Sequence, residues 1–338
     1  MVTTAVAILN YNGKNFLRKF LPAVIQYSNS VPMYVGDNAS TDGSVEMLRS
    51  EFPTVNIIRL AKNNGYSKGY NLLIKEITAD YVALINSDIE VTNNWLTPLI
   101  KVLDTDKLVA AVQPKIKSYA HKNSFEYAGG AGGFIDSYGY PFCRGRLFDT
   151  LEEDTGQYDN DIEVTWASGA CFLVRKSAFD EVSGFDDDFF AHMEEIDLCW
   201  RLANRNFTIK YTSKSTVYHV GGGTLSYESP FKTYLNFRNG LYMLIKNVPM
   251  QQRSRVIAIR VLLDWASAFY FLLQGKGTQF FAVFKAHIKV LRTYRSFYKK
   301  RFSNPSDKSI LKPYSIVWKY FIKGKRTFDE VENSKGNN

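Results

Sequence analysis

The stretch Tyr81-Val82-Ala83-Leu84-Ile85-Asn86-Ser87-Asp88 decides how this chain folds. Its apolar run is too short for a helix and reads as a buried strand, stopped by a polar turn. The same arrangement recurs upstream. Val6-Ala7-Ile8-Leu9 runs into Asn10-Tyr11-Asn12-Gly13, and Met33-Tyr34-Val35 into Gly36-Asp37-Asn38. A third run, Asn56-Ile57-Ile58-Arg59-Leu60, precedes Asn63-Asn64-Gly65. Helical spacing fills the intervals, over 16–27, 44–51 and 68–77. Strands alternating with helices over the first hundred residues predict an α/β fold with a mostly parallel sheet flanked by helices. Such sheets bind ligands at the carboxyl ends of their strands, so the polar residues after each strand are the candidates.

Farther along, Thr165 to Val174 reads as a strand, and 206–211 and 215–219 as closing strands. Residues 120–161 are rich in Gly, Tyr and Asp without a clear period, and are expected to form a loop or lid. After about Ser226 the pattern turns helical, aromatic and basic.

The 338 residues are 45% hydrophobic and 22% charged, a composition that buries a sizeable core and argues against disorder. The net charge of +9 is local: 251–301 holds 11 Lys and Arg against the single acid Asp264. Cys143, Cys171 and Cys199 are far apart and form no CxxC pair, which speaks against a disulfide framework or a zinc ribbon. The first residues enter a strand pattern without a basic leader, so no signal peptide is expected and the catalytic part is placed in the cytoplasm.

Each strand end has a plain reading as a turn or helix cap, and a chemical one. Asp37 can accept hydrogen bonds from a nucleobase or ribose, with Asp42 holding the loop. Gly65 and Gly69 permit close backbone approach, and a helix start beyond them offers N–H groups to a phosphate. The spacing matches neither the dinucleotide fingerprint nor the Walker loop. Asp88 can meet a divalent cation that also holds a diphosphate. His219, one of 4 histidines, precedes Gly221-Gly222-Gly223-Thr224 and is read as structural or as a metal or phosphate ligand. In Phe189-Phe190-Ala191-His192-Met193-Glu194-Glu195-Ile196-Asp197, two adjacent acids sit among large apolar residues. That pairing is costly unless a carboxylate acts as a base or meets a cation. Asp197 and Arg201, four apart, read as a structural helix pair.

The order of these pieces resembles the family 2 inverting glycosyltransferases, in particular their rhamnosyltransferase-like bacterial branch, over roughly 2–247. The resemblance implies the GT-A fold, a nucleotide-binding α/β sheet merged with an acceptor-binding half. It implies a nucleotide and donor site at Asn12, Asp37, Asn64, Gly65, Gly69, Asn71, Asn86, Ser87 and Asp88. The family's DXD-type motif falls on Asn86-Ser87-Asp88, so Asp88 carries the metal role, with His219 beside it and Mg²⁺ or Mn²⁺ as the cofactor. Trp166, Gly169 and Ala170 match the sugar pocket. The family's Glu-Asp pair falls on Glu194-Glu195, which makes Glu195 the base, a glutamate where the family usually has aspartate, and Glu194 the alternative. The implied partners are a nucleotide-diphosphate sugar, such as dTDP-rhamnose or a UDP-sugar, and a glycan or polyprenyl-linked acceptor.

The expected organisation is a catalytic domain over 1–225, with a nucleotide-sugar half to about 115 and an acceptor half from 116. A helical, basic extension follows over 226–325, then a flexible tail over 326–338. In 256–273, Arg260, Asp264 and Ser267 form one polar stripe on an otherwise apolar helix. In the next helix, Phe280, Phe284, Ile288, Leu291 and Tyr294 share one face, and Lys285, Lys289 and Arg292 another. Basic amphipathic helices of this kind suit an anionic membrane surface. The extension, through about 251–301, is therefore expected to attach the enzyme peripherally to the inner face of the cell membrane; core packing is the other reading. No nucleic-acid motif accompanies the charge. An inactive glycan-binding scaffold and a nucleotidyltransferase-like enzyme are the rival functions.

Overall fold

Alternation along the first strand, β1 (Thr4–Asn10), sends Ala5 and Ala7 to one face and Val6 and Ile8 to the other, all buried. A strand buried on both faces requires helices on both faces. The computed structural model, which describes residues 2–127, 129–221, 229–302 and 309–333, supplies them. After β1 come α1 (Lys14–Tyr27), β2 (Met33–Asp37), α2 (Ser44–Glu51), β3 (Asn56–Arg59), α3 (Gly65–Lys75) and β4 (Tyr81–Asn86). Next are β5 (Ile89–Val91), α4 (Leu96–Thr105) and β6 (Val109–Ser118). Leu17, Leu21 and Val24 of α1 pack on the Val6 face, and Tyr70, Leu73 and Ile74 of α3 on the Ala7 face.

The segment expected to be a loop or lid instead forms a small antiparallel sheet. Its strands are β7 (Gly133–Ile135), β8 (Pro141–Cys143), β9 (Arg146–Leu147) and β10 (Thr150–Leu151). These strands are two or three residues long, too short to show a period. Then follow β11 (Ile162–Val164), β12 (Cys171–Arg175), α5 (Lys176–Glu181), α6 (Glu194–Ala203) and β13 (Thr208–His219). The two expected closing strands are thus one strand, with a shift of register against β6 between Thr212 and Thr216.

The main sheet has the order β11-β13-β6-β12-β4-β1-β2-β3, with β5 paired to β13. β1 runs parallel to β2 and β4, while β12 enters antiparallel between β4 and β6. Register places Asn10 opposite Asp37 and Leu9 opposite Asn86, so three candidate turns leave the sheet side by side.

The chain continues through α7 (Pro230–Asn247), α8 (Met250–Leu273) and α9 (Gly277–Lys299). The expected boundary near 225 lies outside the described residues. The polar stripe of α8 faces inward: Arg260 and Asp264 are buried and paired at 2.7 Å, and Tyr140 donates to Asp264. Val256 and Ala268 are buried beside the stripe, while Leu262, Phe269, Tyr270 and Leu273 form an apolar face that is exposed. The expected tail is corrected for 326–333. There α10 (Phe328–Asn333) buries Phe328 and Val331, and Phe328 lies against Phe134 and Phe142 of the small sheet.

Candidate active site

The ends of β1 and β2 are laced together. Asn12 adopts a positive φ of 53°, accepts from the Thr41 amide at 2.7 Å, and donates its own amide to Ser40 Oγ at 2.9 Å. Asp42 accepts from the amides of Lys14 and Ser44, which outweigh its burial and lower its pKa. Asp37 is buried and takes the Ser40 amide on one oxygen, while its Oδ1 has no partner. A buried acceptor without a donor is costly, and it suits a ligand N–H or O–H.

At the end of β4, Asp88 Oδ1 lies 3.2 Å from His219 Nε2, and Asn86 Nδ2 approaches the same nitrogen at 3.4 Å. His219 is the last residue of β13 and reaches this point because it pairs with Ile89 of β5. Its Nδ1 lies 3.3 Å from Glu126, also buried. Burial alone would lower the histidine pKa, but the two carboxylates raise it to about 10. Conversely, burial would raise Asp88, and His219 holds it below the ordinary carboxylate range. Asp88 offers a cation one oxygen, and His219 would offer one nitrogen once it gave up its proton to metal binding; among the described residues no group of three His, Cys, Asp or Glu forms a closed cage. Two protein ligands fit an ion that keeps other positions for diphosphate oxygens and water.

Glu194 and Glu195 open α6, where carboxylates are favoured by the helix dipole. Each has a buried oxygen without a partner. Burial pushes Glu195 up to about 7, against the backbone amides that hold its charge, that of Gly169 among them. Glu194 is likewise pushed well above the ordinary glutamate range, by burial and then by the charge of Glu195. Burial thus makes both carboxyls weaker acids than an exposed glutamate. The Gly169 carbonyl accepts from Tyr66 at 2.7 Å, and the neighbouring Ala170 carbonyl from the Asn86 amide at 2.9 Å. Glu195, Gly169, Ala170, Asn86 and the Asp88–His219 pair are thus contiguous.

The approach to α6 is strained. Phe190 has φ 66° and ψ −62°, and Ala191 donates to the Phe189 carbonyl at 2.8 Å, a γ-turn of the rare hand. His192 and Met193 also have positive φ, 68° and 69°. Such conformations at non-glycine residues cost of order 1–3 kcal/mol each and persist only where the surroundings impose them. Asp197, one turn into α6, is fully buried and ionised among Arg201, Lys246 and Asn247, at 2.8 Å each, so its pairing with Arg201 is structural as expected.

Several residues expected at the donor site are directed elsewhere. Gly65 lies against Phe190: a Cβ there would sit 2.5 Å from the Phe190 carbonyl oxygen. That oxygen accepts from the amides of Tyr66 and Ser67, so the start of α3 presents these N–H groups to the chain itself rather than to a phosphate. Gly69 lets α3 pack on Leu9. The Asn64 amide donates to Asn38, and the Asn71 side chain is bound at both ends to 185–187. Trp166 is buried against Gly133 and donates to the Phe134 carbonyl at 2.8 Å, a core role. Ser87 lies by Gly13, near the strand ends. Glycines at the start of a helix serve close packing as readily as ligand approach, and the sequence alone does not separate the two. Glu126, Tyr66 and Asn239 carry weight the sequence did not advertise. Glu126 falls in the stretch without period, and Asn239 in a helix with no motif.

The fold and this pair of acidic centres define a glycosyltransferase of the GT-A type. The family model of Glycosyl transferase family 2 matches residues 5–183, and the chain belongs to that family. It is 24% identical over 229 residues to the N-acetylglucosaminyl-diphospho-decaprenol L-rhamnosyltransferase of Mycobacterium tuberculosis, covering 63% of this chain and 75% of that one. To the rhamnosyltransferase WbbL of Escherichia coli it is 26% identical over 132 residues, 39% of this chain and 49% of that one. Among solved structures, Staphylococcus aureus TarS (residues 1–349) superposes with a TM-score of 0.55 at 13% identity, covering 88% of both chains. GalNAc-T7 with UDP, GalNAc and Mn²⁺ superposes with a TM-score of 0.57 at 14% identity, covering 72% of this chain and 48% of that one.

Proposed function

We propose that the enzyme moves a sugar from a nucleoside diphosphate donor to a hydroxyl of a glycan or polyprenyl-linked glycan by one inverting displacement. The observation that carries this reading is the contrast, around one set of strand ends, between an acid compensated by a histidine and a glutamate pair with no cation. Asp37 Oδ1 accepts a hydrogen bond from the nucleobase or ribose, with Asn12, Asn86 and Ser87 around the diphosphate. Asp88 and His219 would hold Mg²⁺ or Mn²⁺, His219 then as a neutral imidazole with its Nδ1 side toward Glu126. When bound, such an ion stabilises the negative charge of the departing diphosphate as a Lewis acid. Glu195 takes the proton of the acceptor hydroxyl as its oxygen attacks the anomeric carbon and the bond to the diphosphate breaks. Burial, rather than Glu194, keeps the basicity of Glu195 high.

The relatives named above support a rhamnosyl donor such as dTDP-rhamnose and a lipid-linked acceptor; TarS has been solved with UDP-GlcNAc, which keeps UDP-sugars in view. Attachment to the inner membrane face through 251–301 is supported by the outward apolar face of α8. In α9, exposed Phe281, Phe284 and Leu291 lie among exposed Lys285, Lys289 and Arg292. A large exposed apolar patch marks an interaction surface, and interleaved basic residues suit anionic lipid. α8 is long and apolar enough to span a bilayer, but its buried Arg260 and Asp264 fasten it alongside the protein, which favours an in-plane position.

The test is transfer from a nucleotide-sugar panel, with Mn²⁺, to an N-acetylglucosaminyl-diphospho-polyprenol, read by mass and by anomeric NMR of the product. A product of inverted configuration is expected. Retention, or nucleotide binding without transfer from any donor, contradicts the reading. Flotation with anionic vesicles should fail for Phe269→Glu/Leu291→Glu.

A further inference from the structure

The strained loop ahead of the glutamates needs an external support, and α7 carries one. Asn239 is fully buried, and its side-chain N–H₂ donates to three loop carbonyls: Phe189 at 2.9 Å, Ala191 at 2.9 Å and His192 at 2.7 Å. Its Oδ1 accepts from Arg238 Nε at 2.9 Å. These four partners fix the amide orientation, since reversing it would face an oxygen with three carbonyls. Arg238 adds its own bonds to the carbonyls of Asp188 and Phe189, at 3.1 and 2.9 Å. On its other side the loop is held by the amides of Tyr66 and Ser67 on the Phe190 carbonyl.

We propose that Asn239 is a positioning residue for the transfer reaction, holding the γ-turn at Phe190 and the left-handed His192–Met193 pair that aim the start of α6 at the acceptor. The proposal rests on the reading of Glu195 as the base. It makes α7 part of the catalytic unit, although it lies beyond the residues matched by the family model. No other group in the loop can substitute. All three carbonyls converge on one nitrogen, Asn239 Nδ2, which needs a side-chain group with several N–H bonds on a single atom. An aspartate of the same shape would present acceptors to acceptors.

The experiment uses the full chain with Asn239→Ala and Asn239→Asp. It reads kcat, donor KM, nucleotide affinity, and hydrogen exchange of the peptide spanning 186–197. A small displacement of a catalytic group can cost about 100-fold, so kcat should fall by about that factor in both variants. Donor KM and nucleotide affinity should stay within about twofold, since the strand ends are untouched. Exchange across 189–193 should accelerate. Arg238→Gln, which leaves the amide in place but loosens it, should lose about tenfold, and it serves if the Asn239 variants fail to fold. Unchanged loop exchange overturns the clamp. A loosened loop with kcat within about threefold of wild type overturns the positioning role, as does a parallel loss of nucleotide affinity. Should Glu195→Gln remain active while Asn239→Ala loosens the loop and loses turnover, the base reading fails and the clamp stands.

Discussion

Two acidic centres face each other across the strand ends, and they are solvated in opposite ways. At the end of β4, Asp88 is buried but lies 3.2 Å from His219, which holds its pKa below the ordinary carboxylate range. At the start of α6, Glu194 is buried and Glu195 half-buried, neither has a cation beside it among the described residues, and both hold their protons above the ordinary glutamate range. The residue chemistry is nearly the same. What differs is the counter-charge, and it decides which carboxylate can bind a cation and which can accept a proton. Asp197, only two residues past Glu195, is a third case: with Lys246 and Arg201 against it, it is ionised and mechanically useful but chemically inert.

Three perturbations break or sharpen this contrast. The largest is Asp88→Asn, which removes the carboxylate proposed to hold the cation. Transfer should fall at least about 10³-fold, because the leaving diphosphate loses its charge stabilisation. Mn²⁺ binding followed by EPR should vanish while the fold, read by circular dichroism, persists. Next is pH. With Glu195 the base, kcat should climb about tenfold per unit from pH 5 and level near 7. Stability moves the other way over the same interval. The Glu195 pKa is raised in the folded state, so its contribution is complete below the ordinary glutamate range and is lost as pH rises through about 7. Melting temperature against pH should show that decline in wild type and not in Glu195→Gln. The smallest effect is that of Glu126→Gln, which keeps a hydrogen-bond acceptor for His219 Nδ1 but drops the charge. Mn²⁺ affinity should weaken by about 10–100-fold, the range for losing a carboxylate behind a metal-bound histidine.

Much of this site was legible in the sequence because strand ends announce themselves: a buried run that stops at Asn86-Ser87-Asp88 or Gly36-Asp37-Asn38 places its polar residues at a known edge of the sheet. The Glu194-Glu195 pair was legible for a different reason, the cost of adjacent acids among aromatics. Asn71 and Trp166 have structural partners that the sequence could not show, because polar and aromatic residues near a site also build its supports. The small sheet of β7 to β10 was invisible to periodicity. The orientation of α8 was half legible. Its polar stripe at 260, 264 and 267 was evident, but that the stripe points inward depends on Tyr140 and His287, contributed from far along the chain.

The account turns on Glu195 as the proton acceptor, and single-turnover transfer by Glu195→Gln with saturating donor and Mn²⁺ tests it most directly. The amide keeps the size of the side chain and its place at the helix start but cannot take a proton at neutral pH. The predicted result is a transfer rate lower by about 10²–10⁴-fold, independent of pH between 5 and 8, with unchanged nucleotide affinity. A rate within a few-fold of wild type, still rising toward pH 7, would contradict it and move the base to another group.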